Sequence, residues 1–225
     1  MATQKTITLY SFNELSKEVQ AKLIKDYRND ESFLDFDFAE RHELREIENE
    51  AEVMGIQDFD FRYSGFWSQG DGASFTGTLT KELVVEILER ESSSTFLHSA
   101  KDWAKHYGNN IEVNIVRHSS MYVHENTVSC EFEYDTDELE ISREDYERIT
   151  GYLNNWKNNL CYKFYKQLRE SYEDLISDEN IADRLSELEE AFLSNGKILS
   201  SSVFDEDEVE EDYPVPYGSE RNYYI

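Results

Sequence analysis

Gln57–Leu79 reads QDFDFRYSGFWSQGDGASFTGTL. Phe59 and Phe61 alternate with acids, a glycine-containing stretch follows, and Ala73, Phe75, Gly77 and Leu79 alternate again. A period of two on both sides of a glycine-rich centre is the pattern of a β-hairpin with one apolar face. Gly70 and Gly72 flank Asp71 and supply the positive φ that a tight turn needs, with Trp67 and Gln69 close by.

Working outward, the same period returns downstream. Ile111, Val113 and Ile115 alternate with polar residues, and Val128, Cys130, Phe132 and Tyr134 do so on the return, which predicts a second hairpin. Helical spacing occupies most of the rest. Leu15, Val19, Leu23, Ile24 and Tyr27 recur around Ser16, a suitable N-cap, and a helix over 37–54 carries Phe38, Leu44, Ile47, Ala51 and Met54 inward before Gly55 ends it. Lys81–Glu91 and Ser94–Tyr107 read as two short helices. Ser142 with Asp145 opens a long helix to about Ile176, and a further helix is expected from about Glu179 to Leu193.

The predicted class is therefore α+β: an antiparallel sheet of two hairpins packed against several helices, with a long C-terminal helix and an acidic tail. Residues 1–202 are expected to form one domain, 142–195 its mainly helical part, and 203–225, which hold both prolines of the chain, the tail.

Composition narrows the function classes. Fifteen tyrosines and thirteen phenylalanines supply enough core-forming residues to rule out a disordered chain, despite a mean hydropathy of -0.73. Cys130 and Cys161 stand alone, with no CxxC and no Cys/His quartet, so neither a disulfide framework nor a structural zinc site is expected. The N-terminus MATQKTITLYSF lacks the apolar run of a signal peptide, and no stretch reaches the length of a membrane span. A cytoplasmic protein is the expectation.

Charge is the outlier. Forty-nine acids against 22 basic residues give a net charge of -27, a self-repulsion that calls for a reason. Residues 30–60 hold twelve acids and two basic residues, 131–147 nine and one, 168–192 nine and two, and 203–212 seven and none. By contrast, 148–167 comes to +4. Such a field opposes direct binding of nucleic acid, an anionic membrane or an anionic substrate, and favours a basic partner.

Four constellations bear on chemistry. The 63–77 segment fits an anchored hairpin turn, or a functional loop whose N–H groups cradle an anion, although it lacks the lysine and following helix of a P-loop. His118 and His124, with Glu125 beside them, fall short of the three or four converging ligands a metal needs. Acid pairs such as Asp35 with Asp37, or Glu131 with Glu133, arise by chance in a chain this acidic. Gly151–Lys166 interleaves Lys157, Lys163 and Lys166 with Trp156, Tyr162 and Tyr165, as a single-strand binder would, but is more simply a core helix whose lysines neutralise neighbouring acids. No cofactor, metal or enzymatic role is expected.

Leu9–Arg28 (LYSFNELSKEVQAKLIKDYR) together with Ser64–Gly77 (SGFWSQGDGASFTG) resembles a loosely defined group of bacteriophage-encoded acidic proteins that mostly carry no assigned function. The resemblance implies a phage product acting in a bacterial host cytoplasm. In charge, though not in motif, the chain is also similar to anti-defence DNA mimics. The expectation is an inhibitor or modulator of a basic, nucleic-acid-handling host protein. Its expected contacts are Asp205, Glu206, Asp207, Glu208, Glu210, Glu211 and Asp212 in the tail, and Glu131, Glu133, Asp135, Asp137 and Glu138 at the end of the second hairpin. Trp67 and Gln69 are the expected non-electrostatic anchors, with Asp71 between the turn glycines as a further expected contact. Two alternatives use other features: a small-molecule site or enzyme built on the 63–77 hairpin, and a structural phage protein recognised by a defence sensor. The 142–176 helix also offers a face for homodimerisation.

Overall fold

The computed structural model describes residues 7–91, 111–119, 121–134, 142–188 and 191–198. Its elements are helices α1 (Lys17–Tyr27), α2 (Glu31–Leu34), α3 (Phe36–Met54), α4 (Lys81–Glu91), α5 (Arg143–Leu175) and α6 (Asp178–Glu187), and strands β1 (Ile56–Ser64), β2 (Gly72–Leu79), β3 (Ile111–Arg117) and β4 (Val128–Tyr134). The class is α+β, as the alternation and helical spacing predict. The chain divides into two compact units, one of residues 1–38 with 172–225 and one of residues 39–171.

In the first unit, Ser16 caps α1 by accepting from the Val19 N–H at 3.3 Å, and Asp30 caps α2 through the Phe33 N–H at 3.0 Å. Arg28 pairs with Asp178. Leu9, Phe12, Leu23, Leu34, Ile181, Leu185 and Phe192 are buried. The last helix is shorter than its spacing predicts: it stops at Glu187, and Leu188 is already extended. Tertiary pairing overrides helical propensity here, because Phe192 is fully buried and exchanges two 2.8 Å backbone hydrogen bonds with Tyr10. Phe38, expected on the buried stripe of α3, is exposed.

The second unit holds the sheet, in the order β1-β2-β3-β4, antiparallel throughout. The β1–β2 register sets Phe61 opposite Phe75 and Tyr63 opposite Ala73, so the apolar residues of both strands share one face. On that face, Phe75 and the fully buried Phe164 of α5 meet at a ring separation of 6.4 Å, with Phe59 and Phe61 also against Phe164. Ile47 and Ala51 of α3, Leu83, Val84, Ile87 and Leu88 of α4, and Ile149, Leu153, Leu160, Cys161 and Leu168 of α5 complete the core. At the start of α5 the Ser142 hydroxyl accepts from the Asp145 N–H at 3.1 Å and donates to the Asp145 carboxylate at 2.7 Å, a capping exchange built on aspartate. The predicted 94–107 helix lies outside the described residues.

Candidate functional site

Two surfaces of the second unit stand out, one at each end of β1. The turn end is built around Asp71. Its Oδ2 accepts from the Trp67 N–H at 2.9 Å and the Ser68 N–H at 2.6 Å, while the Asp71 N–H donates to the Ser68 carbonyl at 3.1 Å. This closed loop fixes the turn without occupying the Trp67 side chain, which stays 69% exposed. Gly70 has φ +95, a conformation that favours glycine.

A second segment, from the β3–β4 connection, lies against this turn. A Cβ on Gly72 would fall 2.8 Å from the His124 Cβ and 3.1 Å from the Val123 carbonyl oxygen, so the absent side chain is what lets the two segments touch. The Tyr122 ring approaches Gly70. Tyr122 and Met121 are nevertheless 54% and 79% exposed, so these two touching segments present three exposed apolar side chains, Trp67, Met121 and Tyr122, on a polar molecule. Gln69, also exposed, belongs to the same turn. In the same turn, Phe66 stacks on Tyr63 and packs at a tilt against Tyr165, each at 5.7 Å, and the Tyr165 hydroxyl donates to the Gly65 carbonyl at 3.1 Å. Burial first, and the Asp71 charge second, raise the Tyr165 pKa. Tyr63, hydrogen-bonded to Glu40, is raised by burial and by that carboxylate.

The 121–127 segment is pinned from below by a lysine. Lys157 is only 2% exposed, and its Nζ donates to the Glu125 carbonyl at 2.7 Å and to the Val128 carbonyl. Those carbonyls bracket the 3-10 turn Glu125–Thr127, whose Thr127 hydroxyl donates to the His124 carbonyl at 2.7 Å. Burial lowers the Lys157 pKa, and burial pushes the Cys130 and Cys161 thiols up to about 12, with the lysine charge pulling the other way. The expectation that the lysines of 151–166 neutralise acids fits Lys163, which pairs with Glu50, and Lys166, which lies 3.4 Å from Glu170. It fails for Lys157, which sits on the apolar stripe of α5 and bonds carbonyls.

The opposite end of β1 is acidic. Glu48 and Glu52, one turn apart near the C-terminus of α3, join Gly55, Ile56, Gln57, Asp58, Phe59 and Thr80 around an open cleft of about 550 Å³. Asp58 stands in the left-handed region at φ 50, where the β1–β2 register shifts between Gln57 and Asp60. That bulge places a third acidic residue on the lining of the cleft. The carbonyl end of a 19-residue helix adds its partial negative charge to the three carboxylates, with Ile56 and Phe59 as apolar lining.

A family model described as a domain of unknown function, DUF8835, matches residues 36–178, more than half of the chain. The chain belongs to the DUF8835 family. The DUF8835 match spans the whole second unit, both ends of its hairpin included. No curated protein and no solved structure matches the chain.

The other expected contacts of this DUF8835 protein are distributed differently. Glu131 is exposed on β4, with one oxygen 3.7 Å from His118 Nε2. Glu133 follows on the same strand, in register with Glu112. His118 and His124 do not converge: His118 is close to Ser129, and His124 Nδ1 accepts from the Asn126 N–H at 3.2 Å. Asp135, Asp137, Glu138 and the run Asp205–Asp212 lie outside the described residues. Among the described residues, no group of three or more His, Cys, Asp or Glu is placed to hold a metal, and no helix is long and apolar enough to cross a membrane. Met121, Tyr122, Glu48, Glu52 and Asp58 were not singled out by the sequence as contacts. Tyr122 joins the site only through the approach of Gly72 to Val123 and His124, which no linear motif encodes.

Proposed function

We propose that this protein binds a basic, nucleic-acid-handling protein and inhibits or modulates it by occupying the surface that would otherwise take a polyanion. The observation that carries the reading is the hairpin with two unlike ends. Its turn presents exposed Trp67 on a hydrogen-bonded frame, beside exposed Met121 and Tyr122 of the β3–β4 connection, and its open end presents a cleft lined by Glu48, Glu52 and Asp58. Trp, Tyr and Met are residue types enriched where binding energy concentrates, while carboxylates steer a basic partner and set the salt dependence. Arg28, Arg62, Arg90, Arg143, Arg148, Lys163 and Lys166 each pair with a carboxylate other than Glu48, Glu52 and Asp58, so none of these pairs takes up the cleft acids.

The setting we assign is that of a phage product in a bacterial host cytoplasm, with the partner a defence or repair factor. The acids Asp205, Glu206, Asp207 and Glu208 extend the field, and neutralising them together weakens binding. The test is capture from bacterial lysate on the immobilised full chain, followed by elution with rising salt and, separately, with duplex DNA. Capture of a basic nucleic-acid-binding protein that both salt and DNA release supports the reading. Capture insensitive to both overturns it.

A further inference from the structure

A chain of net charge -27 repels its own copies, so any self-association must use a surface where acid does not meet acid. The 148–167 stretch of α5 supplies one. It contains no acid and sums to +4, in the middle of a helix whose two ends are acidic.

The exposed side of that stretch is unusual. Gly151, Asn155, Asn159 and Tyr162 follow one another at spacings of four, four and three, which places them on one face, and all four are exposed. Gly151 is inside the helix, and a Cβ there would meet nothing within 4 Å. A glycine in a helix interior costs roughly 0.5–1 kcal/mol relative to alanine, and among the described residues no neighbour requires its missing side chain. Close approach of a second backbone is a use for that space.

We infer that two copies of this chain associate through α5, antiparallel, crossing at Asn155. That register sets Gly151 opposite Asn159 of the other copy and Arg148 opposite Tyr162. It also sets Glu144 opposite Lys166, and Glu147 opposite Lys163. All four of these charged residues are exposed. Each already has a partner of opposite sign within its own chain: Arg148 with Glu144 at 2.8 Å, Lys166 with Glu170 at 3.4 Å, Arg143 with Glu147 at 2.8 Å, and Lys163 with Glu50. The antiparallel register joins these pairs end to end into alternating-sign chains: Arg148, Glu144, Lys166, Glu170 in one, and Arg143, Glu147, Lys163, Glu50 in the other. A parallel pairing would instead put each acid beside its own copy and lose that alternation.

Sedimentation equilibrium of the full chain at rising concentration tests the inference. The expected result is a reversible dimer whose population rises with concentration. Glu144→Lys or Lys166→Glu alone weakens it by about tenfold or more, and the two reversals on one chain restore it, because each then faces its complement on the other copy. Asn155→Asp, which brings two like charges together at the crossing, also breaks it. All these positions are exposed, and unchanged circular dichroism verifies that each variant folds. A chain that stays monomeric at every concentration overturns the inference. So does a dimer that the single reversals leave intact, or one that the double reversal fails to restore.

Discussion

The two ends of the β1–β2 hairpin solve opposite problems with the same backbone. At about 3.4 Å per residue, the nine residues of β1 separate them by roughly 30 Å. At the turn end, the carboxylate of Asp71 is spent on two backbone N–H groups, and its reward is a fixed Trp67 with a free side chain. At the open end, the carboxylates of Glu48, Glu52 and Asp58 line a cleft and remain exposed. The same functional group is structural in one place and available in the other. What decides between them is whether backbone donors converge on it, and this is why counting acids along the sequence does not find a binding surface.

The largest expected effect is a loss of stability in alkali. Cys130 and Cys161 have their pKa values raised from 9.0 to about 12, so the native state holds two protons that the unfolded chain releases. Stability is full below pH 9 and falls between pH 9 and about 12, by roughly a few kcal/mol for the two thiols together. Cys130→Ala with Cys161→Ala flattens that fall in denaturant titrations across this range, at a cost in packing at neutral pH. Lys157→Met comes next. It leaves the Glu125 and Val128 carbonyls without their ammonium donor, costing about 2–3 kcal/mol. It also loosens the 121–127 segment, read as faster amide exchange at Asn126 and Thr127 while the exchange of β1 residues near the cleft is unchanged.

On binding, the ends separate further. Trp67→Ala lowers affinity for the captured partner by about 2 kcal/mol, roughly 30-fold, with unchanged thermal stability, because the side chain is exposed and its removal opens no cavity. Neutralising the cleft with Glu48→Gln, Glu52→Gln and Asp58→Asn costs less, about 1 kcal/mol at physiological salt, and lowers the association rate more than it raises the dissociation rate.

Alternation made the sheet legible: Phe59, Phe61, Phe75 and Leu79 stand where a period of two puts them, and Val113, Ile115, Val128 and Cys130 do likewise. Helix spacing was legible in α1, α3 and α5. It misled at the end of α6, because Phe192 obeys a pairing with Tyr10 that lies almost the whole chain away. At the turn, glycines around an aspartate announced a tight loop, and Trp67, Gln69 and Asp71 all lie in it. Met121 and Tyr122 stayed invisible because their approach to the turn is a tertiary contact. Lys157 was readable in retrospect. It is four residues from Leu153 and from Cys161 and three from Leu160, squarely on the buried stripe, and a lysine at a core position signals waiting acceptors.

The proposed function requires one hairpin to carry an apolar anchor and an electrostatic guide as separate functions. The most direct test is the affinity of the captured partner as a function of salt for three chains: the original, Trp67→Ala, and the triple cleft variant. The account predicts that Trp67→Ala shifts the line down with its slope preserved, and that the cleft variant reduces the slope and converges with the original at high salt. Equal slopes in all three chains, or a slope that falls only when Trp67 is removed, would contradict it.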